Sequence, residues 1–578
     1  MDLLKLAAYL KDYKKECIIG PAFKFLEAIF ELLLPTIMAT VINEGVLLHD
    51  RGYVLRMGAL MLAIALCGYG SALICQKLAS RASQGFGTVL RNAMFDRILS
   101  FSYSQLDRFG TQTLTNRLTN DVNQLQLWVA MSIRLISRAP FIFLGSIIMS
   151  FFLDYQLGLI LLASTPAVAG IIYFITKHAA PLYRSYQKKL DSLGGVLQQN
   201  LSGVRVIRAF SKTRHETERF RRANGDLTEN GLAIGWLSSF FNPLTSLVIN
   251  WVIVLLLWAG SFNIDAGRFS QGQMIAFINY ANQILLALMV MSNLIILLTK
   301  AMASAARVNE VLDTRPDMTQ PQSGPQADPA APAVEFRDVS FGYHRTGEKA
   351  LEHVSAAIEK GQTVGIIGGT GSGKSTFVNL IARFYNATSG TVLVDGVPVA
   401  RYPQRALRGK IGMVPQRALL FSGTVAENIR WGGADASDDA VREAAVTAQA
   451  DEFIRAFPRG YDEPIDRGGV NLSGGQRQRL TVARALVSKP EILILDDASS
   501  ALDFLTDARL RQAVRGFAPG QTVLLVSQRI GVVKDADMIL VFEDGKIVGS
   551  GTHRELMRSC ETYRGICASQ LTQEEAAQ

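Results

Sequence analysis

Six long apolar runs, all before residue 300 of the 578, set the strongest limit on the fold of this chain. Each is close to or above the roughly 20 residues that a helix needs to cross the hydrocarbon core of a bilayer. Backbone polar groups in that core must find partners within the protein, which favours helices. We therefore predict six membrane-spanning helices, at residues 18–42, 54–75, 133–152, 157–175, 237–262 and 273–298.

The distribution of Lys and Arg predicts how these helices are oriented. The connections between the second and third runs and between the fourth and fifth are long and basic, whereas the other three are short and poor in Lys and Arg. The positive-inside rule places both long connections and both termini in the cytoplasm. The same distribution accounts for the net charge of +9, and we expect no nucleic-acid partner.

A change of composition after the sixth run divides the chain. Residues 313–333 are rich in Pro and lack periodicity, which is typical of a linker. We predict a transmembrane domain at residues 1–312, a linker at 313–333, a soluble α/β domain at 334–570 and a polar tail at 571–578. The two long connections keep a helical periodicity, so the spanning helices are expected to extend beyond the bilayer.

The soluble half contains a phosphate-binding loop. The stretch "GGTGSGKS" fits the pattern G-x-x-x-x-G-K-[ST], follows a strand pattern and precedes an apolar-periodic helix. Its glycines let backbone N–H groups face phosphates, its Lys reaches phosphate oxygens, and its Ser is a ligand for Mg²⁺. The predicted contacts to ATP and Mg²⁺ are Gly368, Gly371, Gly373, Lys374, Ser375 and Thr376.

A second motif indicates the family. The stretch "LSGGQ" lies shortly before the strand "ILILDD", as in ABC ATPases, and the soluble half resembles an ABC nucleotide-binding domain along its whole length. The resemblance implies that Tyr343 stacks on adenine and that Gln416 and Asp496 join Ser375 as Mg²⁺ ligands. It implies further contacts to ATP from Asp503 and from the signature residues Leu472, Ser473, Gly474, Gly475 and Gln476.

Six spans followed by one such domain resemble a half-transporter of the ABC exporter type, with the type IV exporter fold. The resemblance implies a multi-pass protein of the bacterial cytoplasmic membrane, in contact with lipids, whose ATPase domain lies in the cytoplasm. It implies a dimer, because each ATP is held between one P-loop and the signature of the opposite subunit. It also implies short coupling helices in the two long connections, around residues 108–113 and 209–214.

Two positions depart from the family pattern, and in the same sense. The catalytic Glu of the family falls at Asp497, and its switch His falls at Gln528. A carboxylate that is shorter by one methylene is badly placed to orient water, and a neutral Gln cannot carry the charge of a His. The resemblance is therefore to the degenerate-site subunit of heterodimeric bacterial multidrug exporters, whose homologous partner carries the Glu and the His.

Several alternatives remain open from the sequence. The chain could form a slow homodimer that tolerates Asp497 and Gln528. It could flip lipids or peptides, import siderophores on an exporter fold, or bind ATP as a regulatory subunit without moving substrate. The leading hypothesis is ATP-driven export of small amphipathic compounds, drugs or lipids, by an ABC-type ATPase whose own P-loop site hydrolyses poorly.

Polar residues in the first and sixth runs are the candidates for a substrate cavity. A polar stripe at helical spacing could face a cavity or form hydrogen bonds between helices. Lys24, Glu27 and Glu31 of the first run are spaced so that they can pair with one another, and Glu31, if free, would favour cationic amphiphiles. Arg134 and Arg138 are expected to snorkel or to bind lipid phosphate. The candidate residues are Glu31, Asn279, Asn282, Gln283, Met289 and Asn293.

Overall fold

The computed structural model describes residues 2–265, 269–318, 321, 328–343 and 349–570. The predicted tail at 571–578 and part of the predicted linker lie outside the described residues. The chain divides into two compact units. The first comprises Met1–Leu99 and Gln112–Thr314, and the second comprises Ser100–Thr111 and Arg315–Gln578.

The described residues include six helices that are long and apolar enough to cross a membrane, which confirms the predicted number. They are 43 to 52 residues long. At about 1.5 Å per residue even the shortest exceeds the roughly 30 Å of a hydrocarbon core, so each extends beyond it. In chain order these spanning helices are Asp2–Val46, Arg51–Leu99, Thr111–Leu153, Tyr155–Ser202, Thr213–Ile264 and Gln271–Asp313.

Polar contacts join the spanning helices of the first unit. The buried Asp121 accepts hydrogen bonds from Ser304 Oγ at 3.0 Å and from Arg307 Nε at 2.8 Å. The hydroxyl of Tyr280, on the sixth helix, donates to the backbone oxygen of Leu32 on the first at 2.8 Å. Apolar side chains gain little by leaving lipid for another helix, so such hydrogen bonds and close packing fix which helices meet.

The charges of the first spanning helix are paired within the protein. Lys24 contacts Glu27 at 2.7 Å, and Glu31 accepts a hydrogen bond from Arg138 Nη2 at 2.6 Å. In contrast to the expectation of snorkelling or a lipid phosphate, Arg138 has a carboxylate partner within the protein. Arg134 likewise turns inward and donates to Ser80 Oγ at 3.1 Å.

The second unit is built on two sheets. The antiparallel sheet has the order β2-β1-β4-β5, and the second sheet has the order β12-β11-β3-β10-β9-β6, parallel except for β12. Strands β7 and β8 form a small ribbon. The strands are β1 Val334–Gly342, β2 Lys349–Ile358, β3 Thr363–Gly368, β4 Ser389–Val394, β5 Val397–Pro398, β6 Ile411–Val414, β7 Gly423–Thr424, β8 Pro464–Ile465, β9 Ile492–Asp496, β10 Thr522–Val526, β11 Met538–Glu543 and β12 Lys546–Gly551.

The helices of the second unit cover these sheets. All residues of β3, β9 and β10 are buried, as is typical of parallel strands covered on both faces. The helices include the P-loop helix Lys374–Ile381, the signature helix Gly474–Leu486 and the C-terminal helix Glu561–Gln570. The others are Gln404–Gly409, Val425–Arg430, Asp438–Thr447, Asp451–Arg455, Phe504–Arg515, Ile530–Val533 and His553–Ser559.

A short helix from the first long connection, Tyr103–Phe109, belongs to the second unit. It starts at a capping box between Ser102 and Gln105 and stops at Gly110, whose φ of 76° is left-handed. These two signals make the helix begin five residues before the predicted coupling segment at 108–113, which it overlaps at Arg108 and Phe109. In the first unit, the other predicted segment follows the short helix Val204–Ala209.

Candidate nucleotide-binding site

Most of the predicted nucleotide-binding residues outside the signature meet at the carboxyl edge of three parallel strands. Register places Val526 of β10 beside Ile366 of β3 on one side and Asp496 of β9 on the other. The segments that follow these strands therefore surround one cavity, of about 290 Å³. It is lined by Tyr343, Ala350, Thr370, Gly371, Ser372, Gly373, Lys374, Ser375, Thr376, Gln416, Asp496, Asp497, Val526, Ser527 and Gln528.

Two glycines of the P-loop are required by close backbone contacts. A Cβ on Gly368 would lie 2.2 Å from the backbone oxygen of Phe542. Gly373 has a φ of +101°, and a Cβ there would lie 2.7 Å from the oxygen of Ala350. The loop therefore has no room for side chains at these two points, and its backbone can approach a bound phosphate closely.

Lys374 is buried, and its ammonium group is held by the P-loop itself. Its Nζ donates to the oxygens of Gly368 at 2.9 Å and Gly369 at 2.6 Å and to Ser372 Oγ at 3.3 Å. Burial lowers the pKa of Lys374, and the neighbouring Asp496 opposes this shift. Phosphate oxygens would oppose it further and provide charge-assisted hydrogen bonds in place of neutral ones.

The residues predicted to hold Mg²⁺ are close together. Ser375 Oγ donates to Asp496 Oδ1 at 3.1 Å, and Gln416 lines the same cavity. Burial raises the pKa of Asp496, and the nearby Asp497 raises it further. A bound cation would stabilise both carboxylates, and hydroxyl, amide and carboxylate oxygens are ligands that suit Mg²⁺ beside a phosphate. This set of donors fits a Mg²⁺–ATP site.

Asp497 occupies an unusual backbone conformation. Its φ is +50°, and its N–H donates to the oxygen of Val526 at 2.9 Å, which holds the turn after β9 in place. Burial raises the pKa of Asp497, whereas a hydrogen bond from Gln416 lowers it. Gln416, which is predicted to contact Mg²⁺, is thus also a neighbour of this carboxylate in the cavity.

The loop that carries Gln528 is fixed by the C-terminal helix. Gln570 Nε2 donates to the oxygen of Gln528 at 2.8 Å, and its Oε1 accepts from the N–H of Ile530 at 3.0 Å. Thr370 Oγ1 donates to Gln528 Oε1 at 3.4 Å. Sequence reasoning missed Gln570, since a polar residue 42 positions away in an ordinary helix gives no signal of this contact.

Tyr343 lies at the end of β1, at the border of the nucleotide cavity. Its hydroxyl forms a hydrogen bond with Thr376 Oγ1 of the P-loop helix at 3.1 Å. The rings of Phe341 and Tyr385 meet it edge-on, at centroid distances of 4.9 and 5.3 Å. This aromatic surface suits a flat base whose phosphates lie on the adjacent loop.

The signature residues form the start of another helix. Ser473 caps the signature helix through its hydroxyl and the N–H of Gln476, and Gly474 is exposed. A Cβ on Gly475 would lie 3.1 Å from the oxygen of Ala501. In the described part of the chain, none of the residues lining the nucleotide cavity belongs to the signature or is Asp503, which caps the helix Phe504–Arg515.

The predicted substrate residues separate into two groups. Asn279 and Asn282 are exposed and bond to their own helix backbone, and Asn293 is also exposed. Gln283 instead joins helices, since it accepts from Ser146 Oγ at 3.0 Å and donates to the oxygen of Glu31 at 3.4 Å. Met289 is half-buried.

A cavity of about 400 Å³ lies between the third and sixth spanning helices, within the first unit. Among the described residues that line it, Lys300 is the only charged one. The remainder are mostly apolar, with two amides. The lining residues are Gln124, Leu127, Met131, Leu135, Val290, Asn293, Leu294, Ile296, Leu297 and Lys300.

Comparison with known families gives two matches along the chain. Residues 17–289 match the ABC transporter transmembrane region, and residues 351–500 match the ABC transporter family. The uncharacterized ABC transporter ATP-binding protein YfiB of Bacillus subtilis is 39% identical over 570 residues, which are 99% of this chain and 99% of YfiB.

Two further similarities concern substrate and fold. A fatty acid ABC transporter ATP-binding/permease protein of Mycobacterium bovis is 33% identical over 509 residues, covering 87% of this chain and 79% of that protein. The structure of a bacterial Atm1-family ABC exporter with ATP bound has a TM-score of 0.80 at 23% identity, covering 97% of this chain and 99% of that one. The latter shows the shared fold.

The contacts of Lys374 generate the first prediction. Lys374→Ala should lower the affinity of this chain's site for ATP by about 10- to 100-fold, since a hydrogen bond to a charged group contributes roughly 1.5–3 kcal/mol. Photolabelling of the chain by an azido-ATP over a concentration series measures this affinity. Lys534→Ala, which removes an equal charge from an exposed position outside the cavity, is the control. Equal affinities in the two variants would contradict the P-loop assignment.

Proposed function

The chain belongs to the ABC transporter family as an exporter half-transporter that couples ATP to transport, and from this premise we propose that it is one half of a heterodimer. In this proposal its own P-loop holds Mg²⁺–ATP but hydrolyses it slowly. Its signature completes the catalytic site on the P-loop of a homologous partner, which carries the family's Glu and His. The complex exports amphipathic compounds across the bacterial cytoplasmic membrane.

One observation carries this proposal: the parts that bind nucleotide are assembled, while two positions that act on the attacking water are altered. Lys374, Ser375 and Asp496 meet around the cavity with the contacts described above. Asp497 and Gln528 line the same cavity at the positions of the family's Glu and His. A site that had lost its function entirely would have little reason to keep the whole set of phosphate and Mg²⁺ contacts.

The length of the Asp497 side chain supports slow hydrolysis. Its backbone is fixed by the bond to Val526, so the main chain has little freedom to make up for a missing methylene. The carboxylate therefore falls short of a Glu by about one C–C bond, roughly 1.5 Å. General-base assistance is worth about 10²- to 10⁴-fold in rate and depends on hydrogen-bond distance to the water.

Gln528 supports the same conclusion. Its amide can form a hydrogen bond with a phosphate oxygen, but it has no ionisable group to respond to the charge that develops there. Its backbone is fixed by Gln570, so the neutral side chain is presented at the cavity rather than withdrawn from it. The position therefore supports binding more than turnover.

The geometry of the signature supports the dimer. A helix N-terminus with exposed glycine N–H groups is a binding site for anions. The N-terminus of the signature helix does not line this chain's nucleotide cavity among the described residues. We infer that it serves the γ-phosphate of an ATP bound by the partner subunit.

The substrate is proposed to be an amphiphile with an anionic head. Glu31, the candidate for selecting cations, is paired with Arg138. The cavity between the third and sixth spanning helices instead combines an apolar wall with the single charge of Lys300. This pattern complements an alkyl chain with a carboxylate or phosphate, and one relative is named for fatty acids. A snorkelling role for Lys300 is the alternative that the experiment below distinguishes.

The signature assignment gives a second prediction. Ser473→Asp keeps a good helix cap but places a negative charge against a phosphate. In the purified heterodimer it should lower steady-state ATPase activity by at least about 10-fold, since a charge-assisted contact is replaced by repulsion. Ser473→Thr keeps both the cap and the hydroxyl and is the control. Wild-type turnover in the Asp variant would exclude the cross-subunit role.

Asp497 and Gln528 give the third prediction. Asp497→Asn should change the total ATPase activity little, whereas replacing the partner's catalytic Glu by Gln should lower it by at least about 10²-fold. The double change Asp497→Glu with Gln528→His should restore hydrolysis at this chain's site. This hydrolysis is measured in a complex whose partner has its catalytic Glu replaced by Gln, so that the partner's site is silent. If Asp497→Asn is as damaging as the change in the partner, this chain has a working site and the homodimer alternative holds.

Lys300 gives the fourth prediction, measured as the ATPase stimulation of the purified complex by single-chain amphiphiles. Wild type should respond to laurate at lower concentrations than to dodecyltrimethylammonium. Lys300→Gln should raise the half-stimulating concentration of laurate by about 5-fold, since an exposed ion pair contributes up to about 1 kcal/mol. Lys300→Arg is the matched control. An unchanged laurate response in Lys300→Gln would exclude a headgroup contact and leave Lys300 a snorkelling residue.

A further inference from the structure

A chain of side-chain contacts leads from the short helix Tyr103–Phe109 to the predicted base-binding residue Tyr343. All of its members lie in the second unit. The contacts run from Asp107 to Tyr385, from Tyr385 to Tyr343, and from Tyr343 to Thr376 on the P-loop helix. Neither Asp107 nor Tyr385 is among the site residues predicted from the sequence.

The first contact is short and charge-assisted. The hydroxyl of Tyr385 donates to Asp107 Oδ2 at 2.7 Å. Burial raises the pKa of the Tyr385 phenol, and the hydrogen bond to Asp107 raises it further, so the phenol stays protonated and remains a donor. Hydrogen bonds from a neutral donor to a carboxylate are about twice as strong as neutral ones.

The helix that carries Asp107 is held against the same aromatic group. Tyr103 stacks on Phe384 at a centroid distance of 4.5 Å. Gln105 Nε2 donates to the backbone oxygen of Arg315 at 2.7 Å. These contacts fix the helix at both faces, so that the Asp107 carboxylate reaches Tyr385 from a defined direction.

The second contact restricts the ring of Tyr343. Tyr385 meets it at 85°, with centroids 5.3 Å apart, and Phe341 meets it at 84° and 4.9 Å. Tyr343 also lines two cavities, the nucleotide cavity and a larger one of about 480 Å³ that is bordered by Asp107 and Tyr385. The ring therefore has free volume on one side, and its position depends on the neighbours that hold it.

From this geometry we propose that Tyr385 and Asp107 are positioning residues for Tyr343, so that the helix Tyr103–Phe109 controls how well this site holds the base of a nucleotide. The inference rests on the proposed base-stacking role of Tyr343. The helix lies in sequence between the second and third spanning helices, and the side chains described in contact with it are the aromatic residues Tyr385 and Phe384 rather than residues of the P-loop.

A purely structural role for these residues predicts a different result. If Asp107 and Tyr385 only stabilised the domain, their loss would weaken every contact in the site, including those of Lys374 with phosphates. If they position Tyr343, their loss affects ligands that contain a base and spares those that do not. Inorganic tripolyphosphate carries the phosphates of ATP without the base and separates the two cases.

The experiment uses the purified heterodimer and azido-ATP labelling of this chain, with ATP or tripolyphosphate as competitor. Tyr385→Phe and Asp107→Leu should each raise the concentration of ATP that halves the labelling by about 3- to 10-fold, the range expected for one aromatic stacking contact. The concentration of tripolyphosphate that halves the labelling should not change. Asp107→Asn keeps an acceptor oxygen and should restore most of the affinity for ATP. Tyr402→Phe, which removes another buried phenol that bonds to Val394 O, is the matched control.

Two further variants make the outcomes separable. Tyr343→Ala should reproduce the loss of ATP affinity, and adding Tyr385→Phe to it should have no further effect, because both act through one ring. If Tyr343→Ala alone has no effect, the base-stacking role is wrong and the inference fails with it. If Tyr343→Ala weakens ATP but Tyr385→Phe and Asp107→Leu do not, the inference alone is overturned. Equal losses for ATP and tripolyphosphate would also overturn it.

Discussion

Strands β9, β10 and β3 pair in parallel and are buried along their whole length, and this pairing brings the chemistry of the chain to one edge. The P-loop follows β3, Asp496 ends β9 with Asp497 directly after it, and Gln528 follows β10. A slip of register by one residue would move these groups by more than 3 Å and turn each side chain to the other face of the sheet. The continuous apolar strands therefore determine the geometry of a polar site.

In the proposed dimer, the nucleotide site is divided between two chains. A phosphate needs donors on several sides, and the P-loop helix supplies them from one side only. The signature helix offers a second N-terminus, whose capping by Ser473 and whose small residues Gly474 and Gly475 keep its N–H groups accessible. Among the described residues, the N-terminus of the signature helix does not line this chain's nucleotide cavity, so in the proposed dimer a second subunit would supply the missing half of each site.

Much of this organisation could be predicted from the sequence, because it depends on local patterns. The six spanning helices follow from apolar length, and the P-loop follows from glycine spacing between a strand and a helix. The remainder depends on contacts between residues far apart in the chain. The pairing of Glu31 with Arg138, the support of Gln528 by Gln570 and the bond from Tyr385 to Asp107 join residues 107, 42 and 278 positions apart. Sequence periodicity carries no information about such pairs. For Arg138 the local pattern favoured snorkelling or a lipid phosphate instead of the pairing with Glu31.

A site that binds ATP without consuming it has a physical use in a two-subunit machine. A ligand shifts a conformational equilibrium only by the difference in its affinity for the two states, and ATP held between two subunits binds the closed state alone. If both ATP molecules were hydrolysed in each cycle, that contribution to closure would be lost each time. In the proposed heterodimer, slow hydrolysis at the site of Asp497 would let one nucleotide keep the subunits together while the partner's site turns over. Control of the base through Tyr343 would then act on how long that contact lasts. This duration depends on affinity rather than on catalysis, which agrees with the proposal that the site keeps its binding residues and departs from the family pattern at Asp497 and Gln528.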